Sequence, residues 1–150
     1  MILKAKSAVV KLLDLELAKA ADILVRELAR IKPSDDVLVY TDSESDWRVA
    51  ETTAAAAHSV GAKVVVMRYP APRGVGENAD PDLPEPLMAA MRSCDVMIEF
   101  SKKYLLYSTS WRAAMQGKRA RYLCLSGMTS QMMVRCVGRV NVQALIQFQD

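Results

Sequence analysis

Four short apolar runs, each separated from the next by a segment of helical periodicity, constrain this chain more than any other feature. They are Val37-Leu38-Val39-Tyr40, Lys63-Val64-Val65-Val66-Met67, Val96-Met97-Ile98-Glu99-Phe100 and Arg121-Tyr122-Leu123-Cys124-Leu125. Each is too short for a helix, and β-branched or aromatic residues occur in all of them. A continuous apolar run marks a strand buried on both faces. Strands of that kind separated by helices lie parallel, because a crossover must return the chain to the same end of the sheet. Right-handed crossovers then leave a Rossmann-like three-layer α/β sandwich with a mostly parallel sheet of four or more strands. The 150 residues suit one domain.

The segments between the runs carry their own start and stop signals. From Asp14 to Arg30 and on to Ile31, Leu17, Ala20, Ala21, Leu24, Leu28 and Ile31 recur at helical spacing, and Pro33 ends the helix in a turn. Asp46 caps a helix from Trp47 to Val60, and Gly61 closes it in a left-handed conformation. The alanines Ala54 to Ala57 let that helix approach the sheet closely. A polar, proline-rich stretch from Tyr69 to Pro86 is long enough to be a functional or mobile loop. Leu87 to Arg92 is a short helix with Pro84 or Pro86 in its first turn. Ser108 or Thr109 caps a helix through Met115 that Gly117 ends, Thr129 caps another to about Val137, and Asn141 starts a last one. The stripe Val142, Leu145, Ile146 and the apolar residues Val9, Val10 and Leu13 need cover, so homodimerisation is expected unless the two pair with each other. The last helix runs to Asp150 with no capping glycine, as in a chain cut inside a longer two-domain protein.

Composition excludes several classes. A net charge of +3, with basic and acidic residues interleaved, offers no nucleic-acid footprint. The run Lys4, Lys6, Lys11 reads as a solvated helix face. No apolar run approaches the ~18 residues that span a bilayer, and Lys11, Asp14 and Glu16 interrupt any leader, so a cytoplasmic protein is expected. Cys94, Cys124 and Cys136 fit neither a zinc nor a redox spacing and read as buried thiols.

Chemistry-bearing motifs are sparse. His58 is the only histidine, and one histidine does not make a ligand set for zinc or iron. The junction Tyr40-Thr41-Asp42-Ser43-Glu44-Ser45-Asp46 is acidic where a dinucleotide would need bare amides. Its alternating Asp42, Glu44 and Asp46 lack the glycine and final glutamate of a calcium loop, so a helix-capping loop is expected. Leu125-Ser126-Gly127 lacks the first glycine of a nucleophile elbow and reads as a turn. No catalytic, cofactor-binding or metal-binding residue is assigned. The candidate surface is the rim beyond the carboxyl ends of the strands: Asp42, Ser43, Tyr69, Ser101, Lys102, Ser126 and Met128.

The segments Asp95-Val-Met-Ile-Glu-Phe-Ser101, Leu105-Leu106-Tyr107-Ser108-Thr109, Gly117-Lys118-Arg119-Ala120-Arg121 and Ser126-Gly127-Met128-Thr129 occur in that order. Together with Asp35–Asp42 and Gly61–Val65, their succession resembles the N-terminal domain of the leucyl aminopeptidase T family, over about residues 15 to 150. The dihydroxypyridine dioxygenases resemble it in the same way. The resemblance implies a two-domain metal-dependent hydrolase whose divalent metal sits in a C-terminal domain, with this chain forming the substrate-cavity wall and part of a dimer. Leu105 and Leu106 would belong to that wall. The alternatives are the equivalent domain of an iron-dependent ring-cleaving dioxygenase, and a non-catalytic module that binds a small ligand or a partner subunit.

Overall fold

The computed structural model describes residues 2–117 and 120–148, with side chains from Leu13 onward. Strands β1 (Asp36–Asp42), β2 (Lys63–Tyr69), β3 (Val96–Glu99) and β4 (Arg121–Cys124) form one sheet in the order β2-β1-β3-β4. All three pairings are parallel, and Val37 sits opposite both Val64 and Val96. Helix α1 (Ile2–Ile23) packs against α2 (Trp47–Val60) and α5 (Ser130–Cys136), while α3 (Glu85–Ser93) packs against α4 (Thr109–Gln116). Alternate strand residues point to opposite faces, and the core divides accordingly. Val37, Val39, Val96 and Ile98 join Leu17, Leu24, Ala57 and Met133 on one side. Leu38, Tyr40 and Met97 join Leu87, Met91 and Ala114 on the other. The molecule is a Rossmann-like α/β sandwich with an all-parallel four-stranded sheet.

The helix boundaries follow the capping chemistry in the sequence. Asp46, Ser108, Thr129 and Asn141 each accept an amide of the first turn, from Arg48, Trp111, Met132 and Ala144 respectively. Gly61 ends α2 at φ +99°, and a Cβ there would lie 3.4 Å from the ring of Pro33. Pro86 stands in the first turn of α3. The Tyr69–Pro86 segment contains a 3₁₀ stretch, Gly76–Asp82, so it is an ordered strap rather than a structureless loop.

Three expectations change. The second apolar run is an edge strand, with Val65 50% and Val66 38% exposed, because among the described residues no strand pairs beyond it. Lys63 and Arg68 near its ends are the charges an edge strand tends to carry. The first helix continues past Ile23 as one π turn, Leu24–Leu28, closed by Ala29 N donating to Leu24 O at 2.8 Å. The wider turn brings Val25 into the core and turns Leu28 outward, out of the spacing the helix alone predicts. Of the three cysteines only Cys94 is buried; Cys124 ends an edge strand and Cys136 ends α5, and both are exposed. In α6 (Val142–Gln147), Val142 is buried while Leu145 and Ile146 remain exposed. Leu13 packs on the core, whereas the side chains of Lys4, Lys6, Val9, Val10 and Lys11 lie outside the described residues. Among the described residues no helix is long and apolar enough to cross a membrane.

The inward face of α2 tests how tightly helix and sheet fit. Ala57 is fully buried and Ala55 is exposed. Ala57→Leu is expected to cost about 1–3 kcal/mol in urea unfolding by overpacking, and Ala55→Leu to change stability by no more than about 0.5 kcal/mol.

Candidate functional site

The strand order places the topological switch point between β1 and β3. From the carboxyl end of β1 the chain leaves through α2 on one face, and from β3 it leaves through α4 on the other. Loops that diverge in this way open a crevice, which is the usual ligand position in open parallel sheets. A pocket of ≈ 210 Å³ lies there, lined by Glu44, Ser45 and Asp46 after β1, Lys102 after β3, and Gly127, Met128 and Thr129 after β4. A larger depression of ≈ 720 Å³ lies between α1 and the 138–143 segment. It gathers no strand ends, so the smaller pocket is the better candidate.

Hydrogen bonds knit the rim loops together. Asp42 is fully buried; its Oδ1 accepts from Glu44 N and Ser45 Oγ, and its Oδ2 accepts from Lys103 N at 2.7 Å. Ser45 Oγ also accepts from Lys102 N at 2.8 Å. Ser43 Oγ accepts from Ala71 N at 3.0 Å, which ties in the loop after β2. Ser126 Oγ donates to Ser101 O at 2.5 Å, and Tyr69 Oη shares a hydrogen bond with Ser101 Oγ at 2.8 Å. Asp46 caps α2 through Oδ1 while its Oδ2 accepts from Ser130 N and Ser130 Oγ, joining the first turns of α2 and α5. The acidic junction is therefore a set of caps and loop anchors.

The rim residues expected from sequence divide by exposure. Ser43, Lys102 and Ser126 are exposed, and Leu106 and Met128 are partly exposed. Asp42, Ser101 and Leu105 are fully buried, and Leu105 packs in the α3/α4 core beneath its loop. Only Lys102 and Met128 of the expected set line the pocket itself; Glu44, Ser45, Asp46, Gly127 and Thr129 complete it. His58 lies exposed on α2, away from this crevice.

Sequence reasoning missed Glu99. It is fully buried on the α3/α4 face, where Oε1 accepts from Leu105 N at 2.7 Å and Oε2 accepts from the Tyr122 hydroxyl. Burial pushes its carboxyl up to about 7, against the pull of those two donors and the Tyr40 hydroxyl, with the Asp42 charge adding to the rise. Tyr40, Tyr69 and Tyr122 close by are all raised, first by their own burial and then by the neighbouring Glu99 charge. The sequence did carry a signal: one carboxylate inside the otherwise apolar run Val96–Phe100.

Among the described residues no three His, Cys, Asp or Glu side chains are grouped so as to hold a metal ion. The described side chains do not fit a ferrous or dinuclear centre; the pocket presents hydroxyls, the Glu44 and Asp46 carboxylates and the Lys102 ammonium, which pairs with Glu44 at 3.9 Å.

The sequence model of the family described as 2,5-dihydroxypyridine 5,6-dioxygenase (NicX) matches residues 20–149. The chain belongs to this family. Among solved structures it is similar to the 2,5-dihydroxypyridine dioxygenase from Pseudomonas putida KT2440, at 19% identity and a TM-score of 0.63, over 83% of this chain and 37% of that one. At that identity the likeness shows the shared fold, and this chain spans little more than a third of the other protein's length. No curated protein matches the sequence. The expectation of an aminopeptidase, a metalloprotease-type hydrolase, is overturned: the family is one of dioxygenases, which are oxidoreductases. The phrases that suggested the hydrolase are strand ends and helix caps, such as Ser108 and Thr129, which the scaffold needs whatever its chemistry.

Two measurements test this site. Asp46→Ala removes a cap and the link to Ser130, and is expected to cost about 1–3 kcal/mol in denaturant unfolding. Because the folded carboxyl of Glu99 lies at about 7, above the ordinary 4.5, its contribution is fully favourable below about pH 4.5 and is lost as pH rises through about 7. The loss is on the order of 3 kcal/mol. It appears as the difference between the pH–stability curves of the wild type and Glu99→Gln.

Proposed function

We propose that this chain is the N-terminal, substrate-facing portion of a ring-opening dioxygenase that acts on a dihydroxylated pyridine. The match of the family model to residues 20–149 carries this reading. The switch-point crevice supports it. A pocket of ≈ 210 Å³ is below the usual ligand-site range of roughly 300–1,000 Å³. It therefore suits one wall of a cavity whose remainder comes from elsewhere. Met128 offers an apolar surface for a flat ring, the hydroxyls of Ser45 and Thr129 offer polar contacts, and the exposed Lys102–Glu44 ion pair, at 3.9 Å, offers a charged edge to the ring's hydroxyls.

The iron expected of such chemistry would be held outside the described residues, since they form no ligand cluster. Exposed Leu145, Ile146 and Phe148, with the two edge strands β2 and β4, are the surfaces open to the rest of such an enzyme or to a second copy. Two exposed free thiols, Cys124 and Cys136, suit a reducing cytoplasm.

The test is titration of the isotope-labelled chain with 2,5-dihydroxypyridine, followed by amide chemical shifts. Perturbations are expected at residues 43–46, 102–106 and 127–130, and the chain supplied with ferrous iron alone is expected to leave the ring intact. Shifts confined to the opposite edge around Gly61 and Asp95, or ring opening by the chain itself, would overturn the assignment.

A further inference from the structure

Strand β2 leaves one edge of the sheet bare along its whole length. Lys63 N donates to Asp35 O at 3.0 Å, so the backbone polar groups of Lys63 turn toward β1. These groups alternate in direction along a strand, so those of Val65, Met67 and Tyr69 turn toward β1 as well. Those of Val64, Val66 and Arg68 turn outward, where among the described residues no strand pairs with them.

An edge of this kind is normally blunted by a bulge, a proline or a charge in its middle. The middle of β2, Val64 to Met67, has no proline and no charge, and its seven residues pair with β1 without a bulge. Val65 and Val66 are exposed on opposite faces of the strand. Its two charges stand aside. Lys63 is the first residue, and the guanidinium of Arg68 lies 5.8 Å from the Trp47 ring centre while donating to Ser43 O at 3.2 Å. Beside the strand, a groove of ≈ 320 Å³ runs between Lys63 and Val65 on one side and Ala90, Ser93 and Cys94 on the other.

This edge is complementary to itself. The outward residues Val64, Val66 and Arg68 are spaced symmetrically about Val66, the midpoint of the strand. A two-fold axis through Val66, perpendicular to the sheet, sets a second copy alongside as an antiparallel neighbour. Val66 then faces Val66, and Val64 faces Arg68 on either side of the axis. All are pairs of the hydrogen-bonded kind, and together they carry about six hydrogen bonds. The ladder stops by itself, because the next outward position is Pro70, which has no amide. No like charges meet, since Arg68 falls opposite Val64 and Lys63 opposite Tyr69. Met67 of the second copy falls opposite Val65, at the groove, and its flexible side chain suits an irregular space.

We propose that two copies of this chain join edge to edge through β2, antiparallel about Val66, so that their two four-stranded sheets become one. Each switch-point crevice stays open, one toward either end of the joined sheet, and the pairing does not depend on what the crevice binds.

Sedimentation equilibrium and amide exchange of the unmodified chain test this together. A dimer is expected at micromolar concentration. In it the outward amides of Val64, Val66 and Arg68, which a free edge leaves to solvent, should exchange at least about tenfold more slowly than in a monomeric variant. Val66→Lys sets two ammonium groups against each other at the axis and is expected to give that monomer. Val66→Pro should do the same by removing an outward donor, leaving the bonds to β1 intact. Leu145→Glu, on the exposed face of α6, should leave the dimer unchanged. A monomer at about 200 µM, far above the micromolar range expected of a specific pairing, would show that something other than a second copy covers this edge, and would overturn the proposal. So would a dimer whose Val64, Val66 and Arg68 amides exchange freely, a result read in the unmodified chain even if both Val66 variants fail to fold.

Discussion

β1 is hydrogen-bonded on both sides and buried over Val37–Asp42, and the rest of the molecule is arranged by that condition. Right-handed crossovers put α2, which carries the chain from β1 outward to β2, on one layer, and α3 and α4, which both carry it the other way along the sheet, on the opposite layer. Helices α1, α2 and α5 therefore fall on one side, and α3 and α4 on the other. The same requirement fixes the crevice, since the chain departs from β1 and β3 in opposite directions. What fills the mouth of that crevice is polar because β1 ends on Asp42, a buried carboxylate that must find partners. Asp42 finds three donors among its neighbours, two of them backbone amides of separate loops.

The division between what the sequence displayed and what it concealed follows from range. Caps act within a turn, so Asp46, Ser108, Thr129 and Asn141 were legible from their own neighbourhoods. Parallel strands were legible because alternation with helices admits few topologies. Edge position was not, since Val64–Val66 has the composition of a central strand and only its place in the order leaves it uncovered. The π turn was hidden for a similar reason: Leu24 and Leu28 keep helical spacing on paper, while packing keeps Leu24, adds Val25 and Ala29, and leaves Leu28 outside. For the site, Lys102 and Met128 were found by position alone. Ser45, Asp46 and Thr129 were read only as loop and cap residues, and their convergence depends on three loops far apart in sequence. Glu99 announced itself by type, yet its partners Leu105 and Tyr122 come from a loop and from the next strand.

The same reasoning explains how a member of a dioxygenase family resembles a hydrolase domain in sequence. The residues that carried the resemblance, such as Ser108 and Thr129, end strands and start helices here, and residues of that kind report the scaffold. Chemistry would be reported by metal ligands, and the described residues present none as a cluster. The rim is a set of loops whose side-chain hydroxyls and carboxylates are mostly spent on each other. Loops tied in this way meet a ligand with little conformational freedom left to lose.

The π turn at Leu24–Leu28 has a consequence for how the domain tolerates change in length. One extra residue in a single turn is what remains when an insertion is swallowed by a helix rather than looped out. Upstream of it, Leu17, Ala20 and Ala21 face the sheet; downstream, Ala29 and Ile31 do so as well, with the phase reset between them. The turn acts as a vernier, letting the long helix and the turn into β1 each settle in their own register. Removing one residue there would not simply shorten the helix: it would rotate everything before it by about a quarter of a turn relative to the sheet. The length of this segment is thus held by the angle between two packed surfaces, and the codon count becomes a structural parameter in its own right.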